Sequence, residues 1–371
     1  MSPQITPTPE RSAALDEQER VLAPDGTRAP NVHLDPYLAG ITGAEMRALH
    51  RDMVILRRID AEGVALQRQG QLGLWAPCQG QEAAQIGTAR ALAPEDFVFP
   101  SYRETGVVYA RGAEPGDFVR VWRGEAGSGF DPQQMRMAPL QIIIGAQTLH
   151  AVGYALGIKH DGAPEVAVTY FGDGASSQGD VNEAMVFAAS YRAPVVFVCQ
   201  NNHWAISEPV ALQSQHPIAG RAPGFGIPSL RVDGNDVLAC LAAMRWALEH
   251  ARSGAGPVFL EAVTYRMGPH TTADDPTRYR DAAELELWRT RDPIDRLEAH
   301  LRRIGEITDA QVAEAQADAD DLARAMRAAC LQMEPREPLS VFDDVYAEPH
   351  CAITRQREEY ASYLASFVEE V

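Results

Sequence analysis

The feature that most constrains this chain is a strand-helix-strand unit in its middle. Residues 166–171 (VAVTYF) are an almost unbroken apolar run, the pattern of a strand covered on both faces. Gly172-Asp173-Gly174 ends it. Residues 180–191 read as a helix, with Asp180 as its cap and Glu183 as the acid three positions on. Pro194 opens a second buried run, 195–199, which Asn201-Asn202 closes. Two strands joined through a helix lie parallel with a right-handed crossover. Shorter runs at 230–232 and 258–263 flank a helical stretch at 237–251. This alternation predicts an α/β fold: a doubly wound, mostly parallel sheet with helices on both faces, followed by a helical C-terminal region.

The rest of the chain is arranged around that unit. Residues 1–40 carry six prolines among polar residues and read as a flexible N-terminal arm that wraps a surface or is disordered. A main α/β domain is expected over 41–333, with a helical extension from about 281, and then a C-terminal segment and helix over 334–371. Thr42 with Glu45 is a capping box that starts a helix running to residue 69, and 82–92 reads as a second helix. Gly145, Gly153 and Gly157 alternate with Ala146, Ala151 and Ala155 on a further helix. Its small faces suit close packing on its own sheet or on another subunit. Residues 266–280 are a polar loop without periodicity. Val341 to Val345 is expected to pair with another segment, and a last helix spans about 353–371.

Composition narrows the function. With 51 acidic residues against 33 basic ones, the net charge is −18, so general nucleic-acid binding is excluded for want of phosphate-neutralising cations. The five cysteines are scattered without CxxC spacing, which argues against a disulfide framework or a zinc site. An N-terminus rich in acids, and no apolar stretch of about 18 residues, lead us to expect a cytoplasmic protein without membrane contact.

The chemistry is expected where the two central strands end. Asp173 and Asn202 each follow one of these strands, so their side chains should meet at the carboxyl edge of the sheet, where open α/β sheets bind ligands. A carboxylate and an amide oxygen side by side are hard donors suited to Mg²⁺, and the glycines beside Asp173 let phosphate oxygens approach the backbone. Each motif alone reads as an ordinary turn. Together, across one strand-helix-strand unit, they read as a metal-phosphate site.

GDG followed about thirty residues later by NN is the thiamine-diphosphate signature. The stretch FGDGASSQGDVNEAMVFAASYRAPVVFVCQNNHWAIS closely resembles the α subunit of the thiamine-dependent 2-oxoacid dehydrogenases, and the resemblance spans about residues 34–346. It implies the thiamine-diphosphate-binding fold, with thiamine diphosphate and Mg²⁺ as cofactors. The metal ligands would be Asp173, the side chain of Asn202 and the main-chain carbonyl of Trp204. Gly172, Gly174, Ala175, Ala205 and Ile206 would line the cofactor. Tyr102 and Arg103 match a QYR-like motif that contacts the diphosphate, with Ser101 in place of the usual Gln. Ile142 and Ile144 fall at cofactor-contacting positions; plain core is the other reading of this stretch. Gln141, Ile143 and Ala146 replace the positions through which some relatives bind K⁺, so no K⁺ site is carried over.

The loop YRMGPHTTADDPTRYR, residues 265–280, resembles branched-chain relatives most. His270 matches their catalytic histidine and Arg266 a diphosphate-binding arginine. An imidazole exchanges protons near neutral pH, and guanidinium pairs well with phosphate. Thr271 stands at a regulatory phosphoserine position, and no such regulation is expected here. The resemblance thus implies thiamine-dependent oxidative decarboxylation of branched-chain 2-oxoacids with reductive acylation of a lipoyl group. Pyruvate or acetoin is the alternative substrate. It also implies an α2β2 heterotetramer, completed by a β subunit and docked on a lipoyl acyltransferase core.

Overall fold

A computed structural model describes residues 18–125 and 129–367. The chain divides into two compact units, the first ending at Cys330 and the second starting at Leu331.

The first unit is built on five parallel strands. These are β1 (Phe97–Phe99), β2 (Ala167–Gly172), β3 (Val195–Asn201), β6 (Ser229–Asp233) and β7 (Val258–Val263), in the order β1-β2-β3-β7-β6. A two-residue hairpin, β4 (Trp204–Ala205) with β5 (Glu208–Pro209), follows β3. The register pairs Gly172 with Gln200 and Asn201 with Val263, so β2, β3 and β7 end level with one another. Every residue of β3 and β7 is buried, as their continuous apolar character requires.

Thirteen α-helices are found among the described residues: α1 (Gly43–Arg68), α2 (Glu82–Ala89), α3 (Thr105–Ala110), α4 (Asp117–Arg123), α5 (Pro132–Met135), α6 (Ala146–Asp161), α7 (Gly179–Tyr191), α8 (Val210–Gln213), α9 (Val237–Arg252), α10 (Ala282–Arg289), α11 (Pro293–Arg303), α12 (Asp309–Gln332) and α13 (Cys351–Ala365). Helices α6 and α7 cover one face of the sheet. Ala151, Ala155, Ala184 and Ala188 there let them settle onto Phe171, Phe197 and Phe259. Helices α2 and α9 cover the other face. They approach so closely that a Cβ on Gly87 would lie 2.7 Å from the Cys240 Cβ. The sheet is thus doubly wound. On α6, Ala151 and Ala155 meet the sheet, whereas Gly153 and Gly157 have nothing within 4 Å of where a Cβ would be.

Local chemistry explains the element ends. Thr42 caps α1 through the Glu45 amide at 3.2 Å, and Glu45 returns a bond to the Thr42 amide at 2.8 Å, the reciprocal box expected from the sequence. Helix α7 differs from expectation. It starts at Gly179 with Gln178 as N-cap and no side-chain cap, so Asp180 sits inside the first turn. A 3-10 turn over Asp173–Ser177 leads directly into this helix.

Residues 1–17 of the expected arm lie outside the described residues. From Gln18 onward the segment is fixed to the first unit. Val21 and Leu22 are buried, and one oxygen of Asp236 accepts both of their amides, at 2.7 and 2.6 Å. The other Asp236 oxygen caps α9 through Leu238 and Ala239.

In the second unit, the pairing expected at Val341–Val345 does not form. Pro338–Phe342 makes a 3-10 turn instead, because Pro338 starts a helical turn more readily than a ladder. Helix α13 follows, its Tyr360 ring meeting Phe342 edge-on with centroids 6.0 Å apart. No helix among the described residues is long and apolar enough to cross a membrane.

Candidate active site

The carboxyl ends of β1, β2, β3 and β7 deliver four loops to one place. The loop after β1 carries Ser101, Tyr102, Arg103 and Glu104. Strand β2 ends at Gly172 and Asp173, and β3 at Asn201 and Asn202. The chain leaving β7 reaches Arg266 and His270. These loops enclose a cleft of about 270 Å³. Tyr102, Arg103, Ile144, Gly172, Asp173, Gly174, Ala175, Asn202, Trp204, Ala205, Ile206 and His270 line it, so twelve of the fourteen residues singled out from sequence converge.

Asp173 is 1% exposed, and burial pushes its carboxyl up to about 6. It accepts the Asn202 amide and the Gln213 side chain, both at 3.3 Å, and no ion pair reaches it among the described residues. The Asn202 side chain bonds the Trp204 amide through Oδ1 and donates to Gln81 Oε1 at 3.2 Å. No cluster of three His, Cys, Asp or Glu able to hold a metal exists among the described residues. Any cation here would therefore rely on one carboxylate plus amide and carbonyl oxygens.

The hairpin that frames the cleft is strained. His203 and Ile206 have φ of 72° and 54°, left-handed values that suit glycine and cost a β-branched residue most. His203 is held edge-on against Trp288 and Tyr265, with centroids 5.2 and 5.9 Å away. A Cβ on Gly174 would lie 2.7 Å from the Ala205 Cβ, so the hairpin rests directly on the turn after β2.

Arg103 is the hub of the opposite wall. It donates to Pro77 O at 2.6 Å, to His270 O at 2.9 Å and to His270 Nδ1 at 3.1 Å. A guanidinium can only donate, so Nδ1 is an acceptor and the ring proton sits on Nε2. Nε2 faces the Tyr102 hydroxyl at 3.4 Å. Burial first, then the Arg103 and Arg266 cations, lower the His270 pKa to about 3, so the ring is neutral at physiological pH.

Two expected residues do not reach the cleft. Ile142 is 60% exposed and is not among the residues lining it, whereas Ile144, two positions on, is. Arg266 is fully buried beneath the hairpin. It donates to Trp204 O at 3.0 Å and to Ile206 O and the Tyr279 hydroxyl at 2.8 Å, and Nη1 faces His270 Nδ1 at 3.4 Å, while among the described residues its Nε has no partner.

The family model for the dehydrogenase E1 component matches residues 50–330. The chain belongs to the dehydrogenase E1 component family. Within this family it is 45% identical over 350 residues to the 3-methyl-2-oxobutanoate dehydrogenase subunit alpha of Mycobacterium tuberculosis, covering 94% of this chain and 95% of that one. It is 41% identical over 303 residues to the pyruvate dehydrogenase E1 component subunit alpha of Bacillus subtilis, with 81% of each chain covered. The corresponding subunit of Acholeplasma laidlawii is 38% identical over 340 residues, 90% of this chain and 97% of that one.

The E1 cleft also holds polar residues that motif reading missed. Gln81, Glu104, Gln147 and Gln200 line it and are at most 3% exposed. Gln200 donates to Glu104 Oε1 at 2.6 Å. Among the described residues, Gln81 Nε2, Gln147 Oε1 and Gln200 Oε1 have no partner. A signal existed: Gln200 interrupts an apolar run just before the Asn pair, and Glu104 directly follows Tyr102-Arg103.

Proposed function

We propose that this chain is the alpha subunit of a branched-chain 2-oxoacid dehydrogenase, a 3-methyl-2-oxobutanoate dehydrogenase (2-methylpropanoyl-transferring). It takes part in oxidative decarboxylation of branched-chain 2-oxoacids and reductive acylation of a lipoyl group. The observation that carries this reading is the single cleft into which four strand ends bring Tyr102, Arg103, Asp173, Asn202 and His270. The branched-chain assignment rests on the 45% identity across 94% of the chain, against 38–41% for the pyruvate relatives.

The cleft fits thiamine diphosphate with Mg²⁺. A buried carboxylate without a cation, beside an amide oxygen and a carbonyl, suits a hard divalent ion. Asp173, Asn202 Oδ1 and the Trp204 carbonyl would hold it; that carbonyl keeps a lone pair free beside its bond from Arg266. The unpartnered polar atoms of Gln81, Gln147 and Gln200 suit a polar guest. Thiamine diphosphate, when bound, supplies the nucleophilic carbon and the electron sink that decarboxylation needs.

This chain's own residues then have defined tasks. Tyr102 and Arg103 orient a diphosphate from the wall opposite Asp173. Ile144, Ala205 and Ile206 give the apolar surface that excludes water. His270, neutral with its ring proton on Nε2, can donate a hydrogen bond there to a polar group of the substrate, and Arg103 fixes its tautomer. Arg266 supports this machinery from below by holding the Trp204 and Ile206 carbonyls. We assign the rest of the site to a β subunit in an α2β2 assembly, a lipoyl acyltransferase as acyl acceptor, and the cytoplasm as location.

The test is a substrate panel on the chain co-produced with its β partner: 3-methyl-2-oxobutanoate, 4-methyl-2-oxopentanoate, pyruvate and acetoin. The branched acids should give the highest kcat/KM. Preference for pyruvate or acetoin would overturn the substrate assignment, and the α chain turning over alone would overturn the shared site.

A further inference from the structure

Behind the cleft, the segment from Trp75 to Gln81 touches both walls of the site. Asp60, buried on α1, accepts three of its N–H groups: Trp75 Nε1 at 2.8 Å, the Cys78 amide at 3.1 Å and the Gln79 amide at 3.0 Å. Gly63 lies almost one turn further along α1. A Cβ there would come within 2.2 Å of the Trp75 indole, so only glycine lets the ring lie flat on the helix. Trp75 is 1% exposed. Asp60 and Gly63 thus fix the indole by bond and by berth.

From this fixed segment, bonds run outward in two directions. Toward the β1 loop, Pro77 O accepts Arg103 Nη1 at 2.6 Å. Toward the loop after β7, the bonds are reciprocal. The Thr272 amide donates to Trp75 O at 2.9 Å, and the Trp75 amide donates to Thr272 Oγ1 at 3.1 Å. The Met267 amide also donates to Gln79 O at 3.0 Å. His270 lies between Met267 and Thr272, so its loop is pinned on both sides.

We propose that Asp60, Gly63 and Trp75 form a strut that positions His270 through Thr272 and Arg103 through Pro77. None of these three residues lines the cleft, and they are positioning residues rather than catalytic ones. The inference rests on the functional reading given above for His270 and Arg103. Thr272 acts first on the His270 side, because its removal leaves the bond from Arg103 to Pro77 intact. Trp75 acts on both sides. A residue that supported only global stability would not separate the two.

The experiment uses Thr272→Val, Thr272→Ser and Trp75→Phe. Hydrogen exchange over residues 266–274 is measured on the full chain. Affinity for thiamine diphosphate with Mg²⁺, and kcat and KM, are measured on the chain assembled with its β partner. Thr272→Val should speed exchange in the loop about tenfold and lower kcat on the order of tenfold to a hundredfold, with cofactor affinity within about twofold of wild type. Thr272→Ser, which keeps the hydroxyl, should restore both. Trp75→Phe, which keeps an aromatic ring but loses the indole N–H and its bond to Asp60, should speed exchange and also weaken cofactor binding. Unchanged loop exchange in Thr272→Val and Trp75→Phe would overturn the strut. So would a fall in kcat that Thr272→Ser fails to rescue. A wild-type assembly without 2-oxoacid turnover would refute the functional reading instead, and exchange on the full chain would still decide whether the strut holds the loop.

Discussion

Replacing Gly63 by alanine sets two physical effects against each other. Gly63 lies in the interior of α1, where helix propensity favours alanine by about 0.5–1 kcal/mol. Sterics oppose it. The new Cβ would lie 2.2, 2.3 and 2.5 Å from three atoms of the Trp75 indole. Ordinary contact begins near 3.4 Å, so the ring or the helix must retreat by about 1 Å in a close-packed interior. Strain of this kind costs about 1–3 kcal/mol. Retreat of the ring also stretches the 2.8 Å bond from Nε1 to Asp60, and a buried acceptor that loses a donor costs about 1–3 kcal/mol more. The unfavourable effects win, and we expect a net loss of about 1–5 kcal/mol. Urea unfolding followed by tryptophan fluorescence measures it as a lower midpoint. A Gly63→Ala chain as stable as wild type, or more stable, would refute the steric reasoning and show that propensity decides at this site.

Further outcomes follow from the geometry. Gly174→Ala brings a Cβ to 2.7 Å from Ala205 and should push the hairpin away from the turn after β2, weakening thiamine diphosphate binding about tenfold or more in a calorimetric titration. Arg103→Met removes the first of the two cations that hold His270 down, so the imidazole titration seen by NMR should move up from about 3; burial remains, so it should stay below the ordinary value. In the unmodified chain this lowered pKa makes His270 cost stability as pH falls from about 6.5 toward 3, the range over which an unfolded histidine gains its proton first. Asp236→Ala should leave the buried amides of Val21 and Leu22 without an acceptor, and limited proteolysis should then cut near residues 18–30 faster than in wild type.

The sequence made some features legible because their cause is local or periodic. Buried apolar runs announced β2, β3 and β7, and the reciprocal bonds of Thr42 and Glu45 marked the start of α1. Asp173 and Asn202 could be placed together because parallel strands end at one edge of a sheet. Other features depend on tertiary placement. Ile142 and Ile144 look alike in sequence, and only the path of the loop decides which one faces the cleft. Arg266 has the charge of a phosphate ligand, yet the carbonyls of the hairpin above it engage both of its Nη groups. Gln81, Gln147 and Gln200 escaped notice because a glutamine carries no chemical signature until it is buried. The cap assigned to Asp180 failed because the 3-10 turn after β2 shifts the helix start, a coupling that spacing alone does not reveal.

We propose that Asp173, Asn202 and the Trp204 carbonyl form a cation site that secures a diphosphate in this cleft. The most direct measurement is calorimetric titration of thiamine diphosphate into the α-β assembly, with Mg²⁺ and with chelator, for wild type and Asp173→Ala. The account predicts tight, Mg²⁺-dependent binding in wild type and loss of that dependence in the variant. Equal affinity in the two proteins, or wild-type binding indifferent to Mg²⁺, would contradict it.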